Sequence, residues 1–409
     1  MTSNVHSELP IAVVLSCRGG SQGDLGVVRA LGRMGVPVVV VSEYETSMVR
    51  HSRYVREFLV RPTLFSDPEG SARFLADYCR RQSKPPVVIP TADPDVLFLS
   101  RTRSILEPHC RLVVSQAELV EGFVDKEKFS GIAARNGFRV PRTLIPADIA
   151  DLEAQLAGMT YPVIMKPINP QAWAQPAVAR LVDGKKALRI DSRSELLASY
   201  TRVAGHDRGV VIQEYIPGRD DALYSLHTYM DRDSEPIAWF TGRKIRTYPA
   251  HAGIGCFVES CAIDEIARAG SAMLKSVQYT GLALLQFKRD PRDGSNWLIE
   301  INPRASSWNL LAYACGVNLP FVAYCDTAGL PVPEFRPQKQ GVKYLFLDHD
   351  IRALREYRRA GEWGWWAWLN SLRGRKVFQY LAADDMRPFM VASAKQAVIV
   401  GRRITRVRS

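Results

Sequence analysis

From Ile11 the chain runs through an apolar stretch (IAVVLS), a glycine-rich turn from Cys17 to Gly23 (CRGGSQG), a helical stretch from Asp24 to Met34 and a second apolar stretch (VPVVVVS). Short valine-rich runs that alternate with helical segments bury both faces of a sheet, and parallel βαβ units achieve this. PPVVIPTADPD (Pro85 to Asp95) and RLVVS (Arg111 to Ser115) supply two further strands. The first 118 residues therefore read as a doubly wound α/β domain. The turn at Gly19, Gly20 and Gly23 lacks the GxGxxG spacing, and no GxxxxGK[ST] occurs. It reads as a strand-to-helix connection near a substrate, with Asp24 as the helix N-cap.

A different texture begins near Val120. DKEKFSGIAARNGFRVPRT predicts a charged amphipathic helix stopped at Gly137 and followed by an extended X-Pro segment. YPVIMKP is a short strand whose Lys166 interrupts an apolar run, and VVIQEYIPGRDD is a strand that leaves through a Pro-Gly turn. LLQFKRDPRDGSNWLIEINPR (Leu284 to Arg304) predicts a hairpin around Asp293-Gly294. Glu300 and Asn302 lie two apart on its second strand and so share a face. Two hard oxygen donors on one face, completed by phosphate oxygens, suit Mg²⁺.

These segments, in this order, resemble the ATP-grasp superfamily, and in particular its carboxylate–amine ligase branch, over residues 11 to 330. The resemblance implies a pre-grasp α/β domain (1–118) and a two-lobed α+β ATP-grasp domain (119–330), with a lid lobe at about 119–208 and a C-lobe at about 209–330. It implies ATP and Mg²⁺ as cofactors. Lys126 and Lys166 would contact the ATP phosphates. Gln213, Glu214, Tyr215 and Ile216 would line the adenine, and Asp220 or its neighbour Asp221 would receive the ribose hydroxyls. Glu300 and Asn302 would be magnesium ligands, and Arg304 would touch phosphate or the reacting carboxylate. Gln286 stands where the family usually has an acidic third ligand. Three readings stay open there: one tightly held metal, compensation by an acid such as Asp290, or reduced activity.

The stretch expected to cover the phosphates, INPQAWAQPAVAR, contains no glycine. In GRKIRTYPAHAGIG, Arg243, Lys244 and Arg246 fit neutralisation of the γ-phosphate or of an anionic acyl substrate, or else form a solvated basic strand. By the same resemblance the reaction is amide-bond formation through an acyl phosphate, with release of ADP and phosphate. Lys166, Arg243 and Arg304 would be catalytic, and small-molecule carboxylate and amine would be the substrates. A non-amine nucleophile and a catalytically weak nucleotide-binding descendant are the alternatives. Gly19 to Asp24 and Thr91 to Asp93 are candidates for the substrate wall. His227 and His251 read as structural or substrate-facing.

Composition adds bounds. With 409 residues, 46% of them hydrophobic, the chain is long enough for about two or three domains and is not disordered throughout. Seven Cys without a CxxC pair and seven His without HExxH suggest neither a disulfide framework nor a zinc site. No signal segment and no run of about 18 apolar residues is present, so a cytoplasmic protein is expected.

The formal charge of +12 is concentrated in residues 336–409, which hold 16 Lys+Arg against 6 Asp+Glu. EWGWWAWLNSLRGRK places Trp363, Trp365, Trp366 and Trp368 beside Arg373, Arg375 and Lys376. A basic tail alone can meet nucleic acid, an anionic membrane or an acidic partner. Four tryptophans reduce the choice for this basic, helical extension (331–409) to two: an anionic membrane face, or a terminal helix packed on the grasp core.

Overall fold

The computed structural model describes residues 9–16, 23–168, 170–185, 187–251 and 253–396. The first domain is a five-stranded parallel sheet of β1 (Ala12–Ser16), β2 (Val38–Ser42), β3 (Val55–Val60), β4 (Val87–Ile89) and β5 (Arg111–Leu112), in the order β3-β2-β1-β4-β5. β1, β2 and β4 are buried along their whole length, as continuous valine runs require when helices cover both faces.

The helix Asp24–Gly32 follows β1, but Gly23 is its N-cap. Asp24 instead lies inside the first turn, where its carboxylate accepts from the Ser16 hydroxyl (2.6 Å) and from the Leu25 amide. Burial pushes its carboxyl up to about 7, against the opposing pull of those two hydrogen bonds.

The lid carries a four-stranded antiparallel sheet of β6 (Thr143–Leu144), β7 (Val163–Pro167), β8 (Leu188–Ile190) and β9 (Val210–Glu214), ordered β6-β9-β7-β8. The VVIQE strand, expected in the C-lobe, thus closes the lid sheet, because β7 pairs with it from Val163 to Pro167. Where a phosphate-covering loop was expected, two short helices occur, Pro170–Ala174 and Pro176–Leu181, with Trp173 and Val178 buried in the lid core.

The remaining strands are β10 (Leu223–Met230), β11 (Pro236–Tyr248), β12 (Ile254–Ser260), β13 (Gly281–Arg289), β14 (Asn296–Asn302), β15 (Lys343–Leu345) and β16 (Lys376–Phe378). They form a seven-stranded sheet ordered β14-β13-β10-β11-β12-β15-β16. The predicted hairpin is β13–β14, with Gly294 at φ 73° in its turn.

The C-terminal region is largely helical, yet it also adds β15 and β16 to the edge of this sheet. Its helix Leu347–Arg359 contributes Ala353 and Tyr357 to one apolar core shared with Val14 and Val38 of the first domain and Phe240 and Val258 of the C-lobe. Charge completes the attachment. Arg246 of β11 and Asp350 are fully buried and meet twice, at 2.7 and 3.0 Å. Arg29 of the first domain, also fully buried, meets Asp385 at 2.9 Å, and Arg33 meets Asp384 at 2.7 Å. No helix among the described residues is long and apolar enough to cross a membrane.

Removing one partner of a buried pair strands the other charge, so Asp350→Ala should cost about 3–5 kcal/mol in denaturant titration. The double change Arg246→Met/Asp350→Leu should cost far less, since it strands no charge. A second expectation concerns pH. Folded Asp24 retains a proton that the unfolded chain releases near pH 4, so stability should fall as pH rises from about 4 to about 7. Asp24→Asn should remove that part of the slope, read as the difference between wild-type and variant denaturation midpoints across the window.

Candidate active site

The pairing of β13 with β14 sets Gln286 opposite Glu300 and Leu284 opposite Asn302. Glu300 accepts from the Gln286 amide nitrogen (2.6 Å) and from Asn302 Nδ2 (3.1 Å), both at Oε1. Glu300 is exposed, and its second oxygen carries no hydrogen bond among the described residues. From β11, Lys244 Nζ donates to Gln286 Oε1 at 2.8 Å. Burial pulls the Lys244 ammonium down, while the charges of Glu300 and Asp220 oppose that pull.

This arrangement corrects the expectation for Gln286. A carboxylate can only accept, so the Gln286 NH₂ turns to Glu300 and its oxygen, the atom that could ligate a metal, is given to a lysine. No group of three or more His, Cys, Asp or Glu among the described residues could enclose a metal by itself. Glu300, with one oxygen free, fits a Mg²⁺ completed by phosphate and water oxygens, and Asn302 would join it only on release of its oxygen from Arg304, which donates to it at 3.1 Å. Asp290 does not compensate: it is buried in its own turn, bonded to Arg292.

Arg304 joins this end to the first domain. Its Nε donates to Asp93 Oδ1 at 2.6 Å and one Nη to Asn302 Oδ1 at 3.1 Å. Asp93 opens the helix Asp93–Arg101 after β4. A Cβ added to Gly23 would lie 3.5 Å from the Ser306 carbonyl carbon and 3.6 Å from the Thr91 oxygen. The end of the glycine-rich turn, the Thr91–Asp93 segment and the Arg304–Ser306 loop thus meet as one wall; residues 17–22 of that turn lie outside the described residues. Behind the wall, His227 is buried, hydrogen-bonded through Nδ1 to Ser306 Oγ (2.9 Å) and stacked on Trp308. Burial holds its imidazole down at about 3, so it is neutral and structural at neutral pH.

On the lid, Lys166 Nζ donates to Gln213 Oε1 (3.1 Å), and Gln213 Nε2 donates to Thr143 (2.9 Å). The Glu214 carboxylate accepts the Arg142 and Thr160 amides, and so holds lid loops together. Ile216 is buried. Tyr215 stands between Arg189 and Lys288, at 5.0 and 4.6 Å from its ring centroid. Lys288 escaped the sequence reading because nothing local distinguishes it from other charged strand residues. Lys126 starts the helix Lys126–Arg135, capped by Asp125, and its side chain lies outside the described residues.

Two further expectations are corrected. Arg243 does not reach Gln286 or Glu300: it pairs across strands with Glu259 at 2.9 Å. Alternation along β11 separates it from Lys244, and it shares the register row of Tyr224 and Phe287. Arg246, fully buried, serves the C-terminal helix and not a phosphate.

Asp220 is also committed. Its Oδ2 accepts from Thr247 Oγ1 (2.8 Å), the His251 amide (3.1 Å) and the Tyr357 hydroxyl. Burial alone would raise its carboxyl; hydrogen bonds from His251, Tyr357 and Thr247 override that and hold it well below the ordinary range. His251 bridges onward to Glu362 at 2.9 Å. Asp221 is exposed beside it, without a hydrogen bond among the described residues.

No family model matches the chain. It is 25% identical over 331 residues to a D-aspartate ligase of Enterococcus faecium, covering 78% of this chain and 77% of that protein. It is 23% identical over 256 residues to the carbamoyl phosphate synthase large chain of Neisseria meningitidis, of which it spans only 22%. Among solved structures, an L-amino acid ligase from Bacillus licheniformis aligns with TM-score 0.56 and 17% identity over 78% of this chain and 74% of that one. The ADP complex of an N5-carboxyaminoimidazole ribonucleotide synthetase aligns with TM-score 0.60 and 16% identity over 81% and 80%. With the lid, the seven-stranded sheet and the Glu300–Asn302 strand in place, the chain has the ATP-grasp fold and is similar to proteins of the carboxylate–amine ligase-like kind.

Proposed function

We propose that the enzyme uses ATP to phosphorylate a small-molecule carboxylate and couples the acyl phosphate to an amine, forming an amide and releasing ADP and phosphate. The observation that carries this reading is the continuous polar chain Lys244–Gln286–Glu300–Asn302–Arg304–Asp93, which runs from the large sheet to the wall of the first domain. Cationic donors and a carboxylate along one line support a reading in which a γ-phosphate and an acyl acceptor meet there.

In this reading Lys166 and Lys244 bind phosphate oxygens, and Lys126 joins them. Lys288 and Tyr215 border the base beside Gln213, Glu214 and Ile216, and Asp221 receives the ribose. Glu300 and Asn302 hold Mg²⁺, which when bound neutralises charge on the phosphates. Arg304, released from Asp93, orients the substrate carboxylate. The two ligases to which the chain is similar are named for amino acids, so amino acids are the first amines to screen.

The Lys244–Gln286 bond favours one alternative specifically. With an amide in the place of an acid, the metal end has lost a charge, as a catalytically weak nucleotide-binding descendant would. The two readings separate by experiment. Release of ADP and phosphate should require both a carboxylate and an amine; AMP and pyrophosphate would contradict the acyl-phosphate route. Lys166→Ala and Glu300→Ala should each lower kcat by roughly 10²–10³-fold, with unchanged melting. Wild-type rates in both would sink the assignment. Gln286→Glu should change the rate by less than about threefold, because the new carboxylate pairs with Lys244 and repels Glu300. A gain of tenfold or more would identify the native chain as impaired.

A further inference from the structure

The tail's four tryptophans divide. Trp363 lies 4.5 Å from the Arg246 guanidinium, and Trp368 donates its indole N–H to Asp350 (2.8 Å), so these two anchor the helix Trp365–Ser371 to the body. Positions 365, 366 and 369 fall within about 100° of one another on a helical wheel, with Trp368 on the flank of this arc, its ring edge-to-face with that of Trp365 at 6.1 Å. On that side Trp366 is 85% exposed, Trp365 52% and Leu369 48%.

The charges of the region are sorted in the same way. Of the six acids in residues 336–409, Asp350, Asp384 and Asp385 pair with Arg246, Arg33 and Arg29 of the body. Glu356 accepts the Ala250 amide, Glu362 meets His251, and Asp348 pairs with Arg352 beside it. The carboxylates are thus spent on internal contacts, and arginines remain facing water. Arg358 stacks on Trp365 at 4.6 Å, and its neighbours Arg355 and Arg359, exposed and without an ion pair among the described residues, line a cavity of about 310 Å³.

We propose that this face docks on an anionic lipid bilayer. Trp365, Trp366 and Leu369 enter the interface, and Arg355, Arg358 and Arg359 take the lipid phosphates. Tryptophan beside arginine is suited to this depth: the ring has an apolar body and a polar edge, and the guanidinium binds phosphate in a fork. The attachment is independent of the ligation chemistry, because no residue of the face belongs to the polar chain of the active site.

Co-sedimentation of the full chain with vesicles tests it. The chain should bind phosphatidylcholine vesicles containing phosphatidylglycerol, fail to bind phosphatidylcholine alone, and be released by salt. Trp365→Ala/Trp366→Ala should weaken binding at least tenfold. Arg355→Ala/Arg359→Ala should weaken it about 25-fold, at about fivefold per cation. Unchanged melting curves would show both variants to be folded. Absence of vesicle binding, or binding that the tryptophan variant retains, would overturn the proposal. So would a dimer, in ultracentrifugation, that Trp366→Ala dissociates without any vesicle binding by the wild type, since the face would then meet a second copy of the chain.

Discussion

The ion pair between Arg246 and Asp350 lies with no exposed surface on either side chain, between the strand that supplies Lys244 and the first long helix of the C-terminal region. The guanidinium is flanked by the rings of Phe257 and Trp363, each 4.5 Å away, and donates a further hydrogen bond to Ser371. Desolvating two such charges recovers little net stability, but the fork geometry admits one arrangement and penalises others. That is enough to fix the C-terminal helices against β11. It also places Tyr357 over Asp220 and Thr247, so a segment outside the region of family resemblance helps to hold the Asp220 carboxylate in place.

The electrostatics at the metal end follow from one substitution of residue type. An acid at position 286 would stand beside Glu300 and need a cation to offset the repulsion. The amide present there has no charge, and it passes the field of a buried lysine to Glu300 through two hydrogen bonds. Lys244 thereby supplies a positive charge directly beside Gln286. The backbone here is a regular pair of strands apart from a bulge at Gln286/Phe287, so the difference made by the amide is one of charge and not of chain geometry.

At the other end, Arg304 is held by Asp93, 211 residues earlier in the chain. The carboxylate substrate of the proposed reaction would have the same charge and planar shape as Asp93 and would compete for the same fork. The resting pair keeps the guanidinium oriented and partly shielded, so in the proposed reaction the cost of arranging it is met in folding before substrate arrives.

Much of the fold was legible in the chain alone, because its signals are local. Valine runs buried on both faces specify parallel strands, Asp293-Gly294 specifies a hairpin turn, and a spacing of two puts Glu300 and Asn302 on one face. The assignment of Val210–Glu214 to the lid was not legible, because strand pairing is decided by partners far away in sequence. Arg243 and Lys244 are adjacent cations that no composition separates; only the orientation of β11 in the sheet sends one to Glu259 and the other to Gln286. Asp220 reads as a free carboxylate until the fold brings Tyr357 to it. The basic, tryptophan-rich tail was evident in the sequence, but its sorting was decided in three dimensions. Arginines of the body drew three of its acids inward, two of its tryptophans packed on the Arg246–Asp350 pair, and the remaining rings and cations were left on the outer face.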